Sequence, residues 1–434
     1  MSDLLAARSQ MAMSLGFHIV FAEIGIAMPL LMVLAEWRWR RTGDAACHEL
    51  ARRWAKGTAV LFAVGAVSGT VLSFELGLLW PGFMRFAGPL IGLPFSLEGF
   101  AFFLEAIFLG VYLYGWDRVG ARAHLASGMI VAASGAASAV FVVLVNAWMN
   151  APTGYELGAD GRFLHIDPVA AMQSPAAAQQ ALHMLLAAYA ATGLAVAGVH
   201  AAMLLRDGAS AFHRRGLAIA LLVGAPAAVL QPLSGDLSAR VVALTQPVKL
   251  AALEGQWRTE RGAPLRIGGL PDAAREQTRW ALEIPYGLSL LAFHDPAAEV
   301  RGLTAVARED RPPVAVVHIA FQTMVALGTI MALVALWAGW TAWRRDVASD
   351  RRLLRALVVV APFGFIATEA GWIVTEVGRQ PWVVQGLMRT ATAVTPMPGL
   401  VVPLVCFTLL YLGLAAIVVA LVASLVRESR TVRG

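Results

Sequence analysis

Residues 11–35 read MAMSLGFHIVFAEIGIAMPLLMVLA, with His18 and Glu23 as the only ionisable side chains in the run. A helix of about 20 such residues crosses the roughly 30 Å hydrocarbon core of a bilayer. Outward from this run the pattern repeats at 55–79, 94–115, 123–148, 179–205, 214–236, 314–343, 353–377 and 397–426. Each run is bounded by charges or by Pro/Gly punctuation, as at Trp80-Pro81-Gly82 and Arg311-Pro312-Pro313. The spacing predicts an all-α, polytopic membrane helix bundle of about nine transmembrane helices. Its expected organisation is helices one to six over 1–236, an extramembrane loop over 237–313, and helices seven to nine with a short tail over 314–434.

Composition agrees. Hydrophobic residues make up 58% of the chain and charged residues 14%, with mean hydropathy +0.67. A soluble domain carries about a quarter of its residues charged. The net charge of +6 is distributed as a topology signal. Alternate connections carry Arg38, Arg40, Arg41, Arg52, Arg53 and Lys56, then Arg118 and Arg122, then Arg206, Arg214 and Arg215. The series continues with Arg344, Arg345, Arg351, Arg352 and Arg355, and ends with Arg427, Arg430 and Arg433. The short connections between these hold only Arg85, Arg162, Arg379 and Arg389. The positive-inside rule then puts the N-terminus and 237–313 on the periplasmic side of a bacterial inner membrane and the C-terminus in the cytoplasm. The partner of this charge pattern is the lipid bilayer, and nucleic acid is excluded. Cys47 and Cys406 form no CxxCH and no cluster, which removes covalent c-type haem and iron–sulfur or zinc sites. The first run has no cleavage signature and is expected to remain as a helix.

Ionisable groups inside spans are costly and are functional candidates by default. Here they are His18 and Glu23, Glu75, Glu98 and Glu105, His183 and His200, Asp236, His318, and Glu369 and Glu376, with Met324 as a soft potential ligand. With the deduced sidedness, His18, Glu98, His183, Met324 and Glu369 fall at one level near the outer face, from five helices. Histidine, methionine and glutamate in a bundle interior are ligand types that haem iron accepts. Glu98 and Glu105, and likewise Glu369 and Glu376, are seven apart and share a helix face, so one carboxylate of each pair can sit at a metal centre and the other next to it as a proton stop. Beside this stands the plain reading: His200 and His318 as hydrogen-bonded groups at span ends, most of the 15 methionines as packing, and Trp80, Trp148 and Trp382 as interface anchors.

Several segments together resemble subunit I of the cytochrome bd-type quinol oxidases over nearly the whole chain. They are Gly16-Phe17-His18, Leu97-Glu98-Gly99-Phe100 through Glu105, Gly115-Trp116-Asp117-Arg118, and Asn146-Ala147-Trp148-Met149. Lys249-Leu250-Ala251-Ala252-Leu253-Glu254, Glu369-Ala370-Gly371-Trp372 and Gly378-Arg379-Gln380-Pro381-Trp382 complete the set. The resemblance implies three haems: a low-spin haem b on His183 and Met324, a high-spin haem b, and haem d or a third haem b, the last two held by His18 and Glu369 in an order left open. It implies that Glu98 stands at the high-spin pair and Glu105 delivers protons to it. Lys249 and Glu254, with Gln246 and Asp236 on the approach, match the quinol site of the outer loop, called the Q-loop. The implied partners are subunit II of the oxidase, with a small single-helix subunit as a further candidate, and the implied substrates are quinol and dioxygen.

Three departures accompany the match. Gln322 stands where an arginine beside the low-spin haem is expected, and Phe365 where a tryptophan is common. The short Q-loop and Ser73-Phe74-Glu75-Leu76-Gly77-Leu78-Leu79-Trp80 are similar to the cyanide-insensitive branch. Two other classes fit a polar-lined bundle: a haem-free, proton-coupled secondary transporter working through Glu23 and Glu105, and a haem-bearing quinol dehydrogenase that passes electrons to another protein.

Overall fold

The computed structural model describes residues 1–159 and 161–431, with side chains through 424 except at 160 and 422. Of the basic residues counted above, Arg433 lies outside the described residues, and Arg427 and Arg430 outside the described side chains. In chain order the helices are α1 Asp3–Thr42, α2 Ala45–Leu79, α3 Pro81–Tyr114, α4 Ala121–Asn150, α5 Pro168–Met172, α6 Ala177–Arg206 and α7 Ala211–Thr245. They continue with α8 Pro247–Glu254, α9 Gly287–Phe293, α10 Val314–Arg344, α11 Arg351–Val360, α12 Phe363–Val377, α13 Thr390–Ala393 and α14 Val401–Thr431. Among the described residues nine spans are long and apolar enough to cross a membrane, with α11 and α12 together forming the eighth.

Local chemistry sets the ends. The side chains of Asp44, Ser210 and Asp350 accept from the first free N–H groups of α2, α7 and α11, which have no partner within the helix. Gly43 closes α1 at φ 70°, a left-handed position that suits glycine. Small residues let spans approach: a methyl on Gly193 of α6 would collide with the backbone of Gly224 on α7, the contact type that drives helix association in lipid.

Two helices differ from the expected spans. The sixth runs to Thr245 rather than ending at 236, because Asp236 and Arg240, one turn apart, neutralise each other on its surface. The eighth is broken between α11 and α12 at Ala361-Pro362, where proline removes a backbone donor and crowds the preceding turn. Trp80 and Trp148 are core groups rather than interface anchors, at 6% and 1% exposure. Trp148 donates its indole N–H to the Thr153 carbonyl at 3.0 Å.

The segment after α7 folds as three nested antiparallel ladders. Glu260–Arg261 pairs with Glu299–Val300, Leu265–Ile267 with Leu282–Ile284, and Leu270–Asp272 with Gln277–Arg279. Two side chains of α10 fasten it. His318 reaches the carbonyls of Leu253 and Gly268 at 2.7 and 2.9 Å. Gln322 accepts from Gly268 N at 2.9 Å and donates to Arg266 O at 3.0 Å. Gln322 thus serves as an anchor for the loop. The end of the bundle that carries this segment is called the loop end below.

Candidate functional site

A cavity of about 710 Å³ opens between α1, α2, α3 and α4, bounded at the loop end by residues of α12 and the turn after it. Arg8, His18, Glu23, Glu98, Glu105, Glu376 and Arg379 are its charged or ionisable lining, set among mainly apolar side chains. Glu98 accepts from Ser138 of α4 at 3.2 Å. Glu105, two turns further along the same face of α3, lies against Gly135, where a methyl would stand 3.1 Å from its carboxylate. Glu23 is 3% exposed, and neither of its carboxylate oxygens has a hydrogen-bond partner.

The histidines separate by how their ring nitrogens are used. His18 Nδ1 lies 2.9 Å from Ser68 Oγ, and that hydroxyl has Val64 O and Gly65 O as acceptors, each at 3.0 Å. With the hydroxyl proton given to either carbonyl, Nδ1 of His18 is the donor and Nε2 keeps its lone pair. His183 repeats the arrangement: Nδ1 is 2.9 Å from Ser234 Oγ, which donates to Gln231 O at 2.8 Å. The Gln231 amide nitrogen is 3.2 Å from His183 Nε2. By contrast His318 engages two carbonyls, one with each nitrogen. His200 faces His213 through Nδ1 at 2.9 Å and packs its other edge against Gly216. A metal-ligating histidine characteristically donates its second nitrogen to a fixed acceptor. Of the four histidines expected in spans, His18 and His183 have that form.

The remaining expected ligands stand outside this cavity, on helices that flank it. Glu369 of α12 lies beside α1, where a methyl on Gly16 would be 3.2 Å from its Oε2, and its Oε1 is buried without a partner. Two residues on, Gly371 faces α10, and a methyl there would be 3.1 Å from Met324 Sδ. Gly235 of α7 backs His183 in the same manner at 3.5 Å. Thus α12 joins the Glu369 side of the bundle to the Met324 side. The structure gathers His18, Glu98 and Glu105 on one space and sets His183, Met324 and Glu369 around its flank.

These residues suit haem. Two imidazoles keep a lone pair on Nε2, with the Gln231 amide facing that of His183, a thioether and an unpartnered carboxylate lie nearby, and glycines leave room beside them. Arg379 adds the counter-charge: it is 2% exposed, pairs with Glu376 at 2.5 Å through one nitrogen, and leaves Nε and Nη1 without a partner. A buried guanidinium with two free donors on a cavity wall fits a carboxylate of a bound group.

At the loop end, α8 presents a second set. Lys249 and Glu254 are each 4% exposed. Lys249 Nζ donates to Asn150 Oδ1 and Thr375 O, both at 3.0 Å. Burial pulls its ammonium down to about 7; Arg379 pulls the same way, and Glu376 opposes. Glu254 has an unpartnered Oε2, and burial pushes its carboxyl up to about 8 against the pull of Arg266. Gln246 donates to Asn150 O at 2.7 Å. Asp236 is engaged by Arg240 on α7 and belongs to that helix surface.

Sequence reasoning passed over Ser68, Ser234, Asn146, Asn150 and Arg379. Two signals were available. Asn146 and Arg379 lie in motifs that were read for their resemblance without a role, and Asn146 and Asn150 put two amides one turn apart in an apolar span.

Known proteins match along nearly the full length. The model of the family "Cytochrome bd terminal oxidase subunit I" matches residues 6–430. The chain is 37% identical to a putative cytochrome bd menaquinol oxidase subunit I of Bacillus subtilis, over 96% of this chain and 95% of that one. It is 31% identical to cytochrome bd ubiquinol oxidase subunit 1 of the same organism, over 97% and 93%. It superposes on the bd oxidase of Geobacillus thermodenitrificans with TM-score 0.91 at 39% identity, covering 98% of this chain and 99% of that one.

Proposed function

The chain belongs to the cytochrome bd terminal oxidase subunit I family, and on that premise we propose that it oxidises quinol at Lys249 and Glu254 and reduces dioxygen inside the bundle. As a family member it is a bd-type quinol oxidase subunit, haem-bearing and embedded in the bacterial inner membrane as part of a multi-subunit respiratory enzyme. That membership sets aside the haem-free transporter.

His183 and Met324 would hold a low-spin haem b, and His18 and Glu369 two high-spin haems, one of b type and one of d or b type. Bound haem supplies one-electron storage and an iron position open to dioxygen. The protein supplies the rest. Ser68 and Ser234 fix the two imidazoles in the ligating tautomer. The Lys249 ammonium donates to a quinol oxygen, and Glu254 Oε2 takes a quinol proton. Glu105 holds a proton deeper along α3 and hands it to Glu98, beside the high-spin pair. With the loop end facing the periplasm and protons for water drawn from the cytoplasm, turnover generates proton motive force without a pump. Subunit II completes the enzyme.

The observation that carries this reading is the pair of serine-held histidines, each donating at Nδ1 and keeping the Nε2 lone pair, which in His183 faces the Gln231 amide at 3.2 Å. His183→Ala or Met324→Leu is expected to abolish the low-spin haem b spectrum of the purified enzyme. Survival of that spectrum in both variants would overturn the ligand assignment. Lys249→Ala or Glu254→Ala is expected to slow quinol oxidation with the haem spectrum intact.

A further inference from the structure

The quinol end and the haem cavity are joined by two buried amides, Asn150 holding Lys249 and Asn146 lining the cavity wall. Asn146 and Asn150 are one turn apart on α4, at 8% and 0% exposure. Lys249 Nζ donates to Asn150 Oδ1 at 3.0 Å. Asn150 Nδ2 donates to Asn146 O and Oδ1, each at 2.9 Å. Asn146 Nδ2 donates to Glu376 Oε1, and Glu376 Oε2 takes Arg379 Nη2 at 2.5 Å. Gln246 and Thr375 brace the two amides from the side.

Every donor along this chain points from the ammonium toward the carboxylate. The ends dictate that: an ammonium only donates and an ionised carboxylate only accepts, so neither amide can be flipped without setting like groups face to face. Aligned, buried hydrogen bonds polarise one another, and the low local dielectric strengthens the interaction along them. Gly378 keeps the path clear, since a methyl there would stand 3.0 Å from Lys249 Cε.

We propose that Asn146 and Asn150 are positioning residues, a polarised amide bridge that holds the Lys249 ammonium at the quinol site and couples its charge to the Glu376–Arg379 pair on the cavity wall. The proposal rests on the reading of Lys249 as a quinol-binding group. A change of charge or contact at Lys249 re-polarises the bridge and alters the hold of Glu376 on Arg379, whose free donors lie where a carboxylate of the high-spin pair would be received.

The test uses the purified oxidase with Lys249→Ala, Asn150→Leu, Asn150→Asp and the double variants Lys249→Ala/Asn150→Leu and Lys249→Ala/Asn150→Asp. Three quantities are read: the rise in melting temperature given by an oxidised short-chain quinone, the KM and kcat for the corresponding quinol, and the midpoint potentials of the high-spin haems. Asn150→Leu is expected to lose most of the quinone-induced rise and to increase KM about tenfold, with little change in kcat or haem spectrum. Asn150→Asp keeps an acceptor for Lys249 and recovers much of that loss. In the Lys249→Ala background Asn150→Leu adds nothing. Lys249→Ala shifts the high-spin potentials when Asn150 is present and leaves them in place when it is leucine. Wild-type quinone binding by Asn150→Leu, or equal effects in both backgrounds, overturns the bridge and leaves the quinol site standing. Unchanged quinone binding by Lys249→Ala overturns the quinol site and the bridge with it. If Asn150→Leu does not fold, Asn150→Asp carries the cycle, because it removes the donor to Asn146. Persistence of the potential response to Lys249→Ala in that variant then overturns the proposal.

Discussion

The Ser234 hydroxyl sits 2.9 Å from Nδ1 of His183 and gives its own proton to the Gln231 carbonyl at 2.8 Å. That makes Nδ1 the donor and leaves Nε2 as the nitrogen that, on the proposed assignment, would ligate the low-spin haem. Second partners of this kind are worth about 10–100-fold in metal affinity or activity. Ser234→Ala is therefore expected to lower low-spin haem occupancy and move its midpoint potential, while the high-spin haems keep theirs. Ser234→Thr, which restores the hydroxyl, should recover both. Spectro-electrochemical titration separates the outcomes, and an unmoved potential in Ser234→Ala would mean that the ring is held by packing alone.

Gly69 gives a complementary handle on the other imidazole. A methyl there would stand 3.0 Å from Cε1 of His18, close enough that the ring or helix α2 must shift. Gly69→Ala is expected to change the high-spin haem absorption and leave the low-spin spectrum untouched. A wild-type spectrum would place His18 away from the iron.

Arg379 is the most exacting charge in the bundle. It is buried, ion-paired once, and carries two unpartnered nitrogens. Arg379 is itself buried while Glu376 keeps 31% exposure, so removing the guanidinium is expected to cost less than the roughly 3 kcal/mol of breaking a fully buried pair. Arg379→Met should lower the melting temperature and release high-spin haem, with the low-spin haem spectrum retained. Lysine, with a single point of charge, should restore stability only in part. Full haem retention in Arg379→Met would show that no carboxylate of a bound group depends on this side chain.

The spans were legible because hydropathy is a local property, and each run carries its own evidence. Their ends were less so: the sixth helix runs past Asp236 because of a pairing with Arg240 that a span count treats as a stop. The break in the eighth was signalled by Pro362 and could have been placed from sequence. The amide bridge was a different matter. Its contacts join α4 to residues nearly 100 and more than 200 positions away, and asparagine escapes a scan for ionisable groups. The distinction among His18, His183, His200 and His318 likewise depends on which hydroxyl or carbonyl faces each nitrogen, and that exists only once the helices are packed.

The proposed quinol site carries a pH signature with opposite signs on its two groups. Burial holds Lys249 at about 7, so its ammonium is present below that pH and lost above it. Burial holds Glu254 at about 8, so its carboxylate becomes available as a proton acceptor only as the pH rises toward that value. KM for quinol should therefore be flat below about pH 7 and climb above it, while kcat rises with pH until about 8. Lys249→Arg keeps a fixed positive charge, so its KM should start higher, because a guanidinium fits the Asn150–Thr375 pocket poorly, yet stay flat across the range. Oxygen uptake measured from roughly pH 6 to pH 9 decides the matter. A wild-type KM without the alkaline rise, or the same rise in Lys249→Arg, removes the ammonium from quinol recognition.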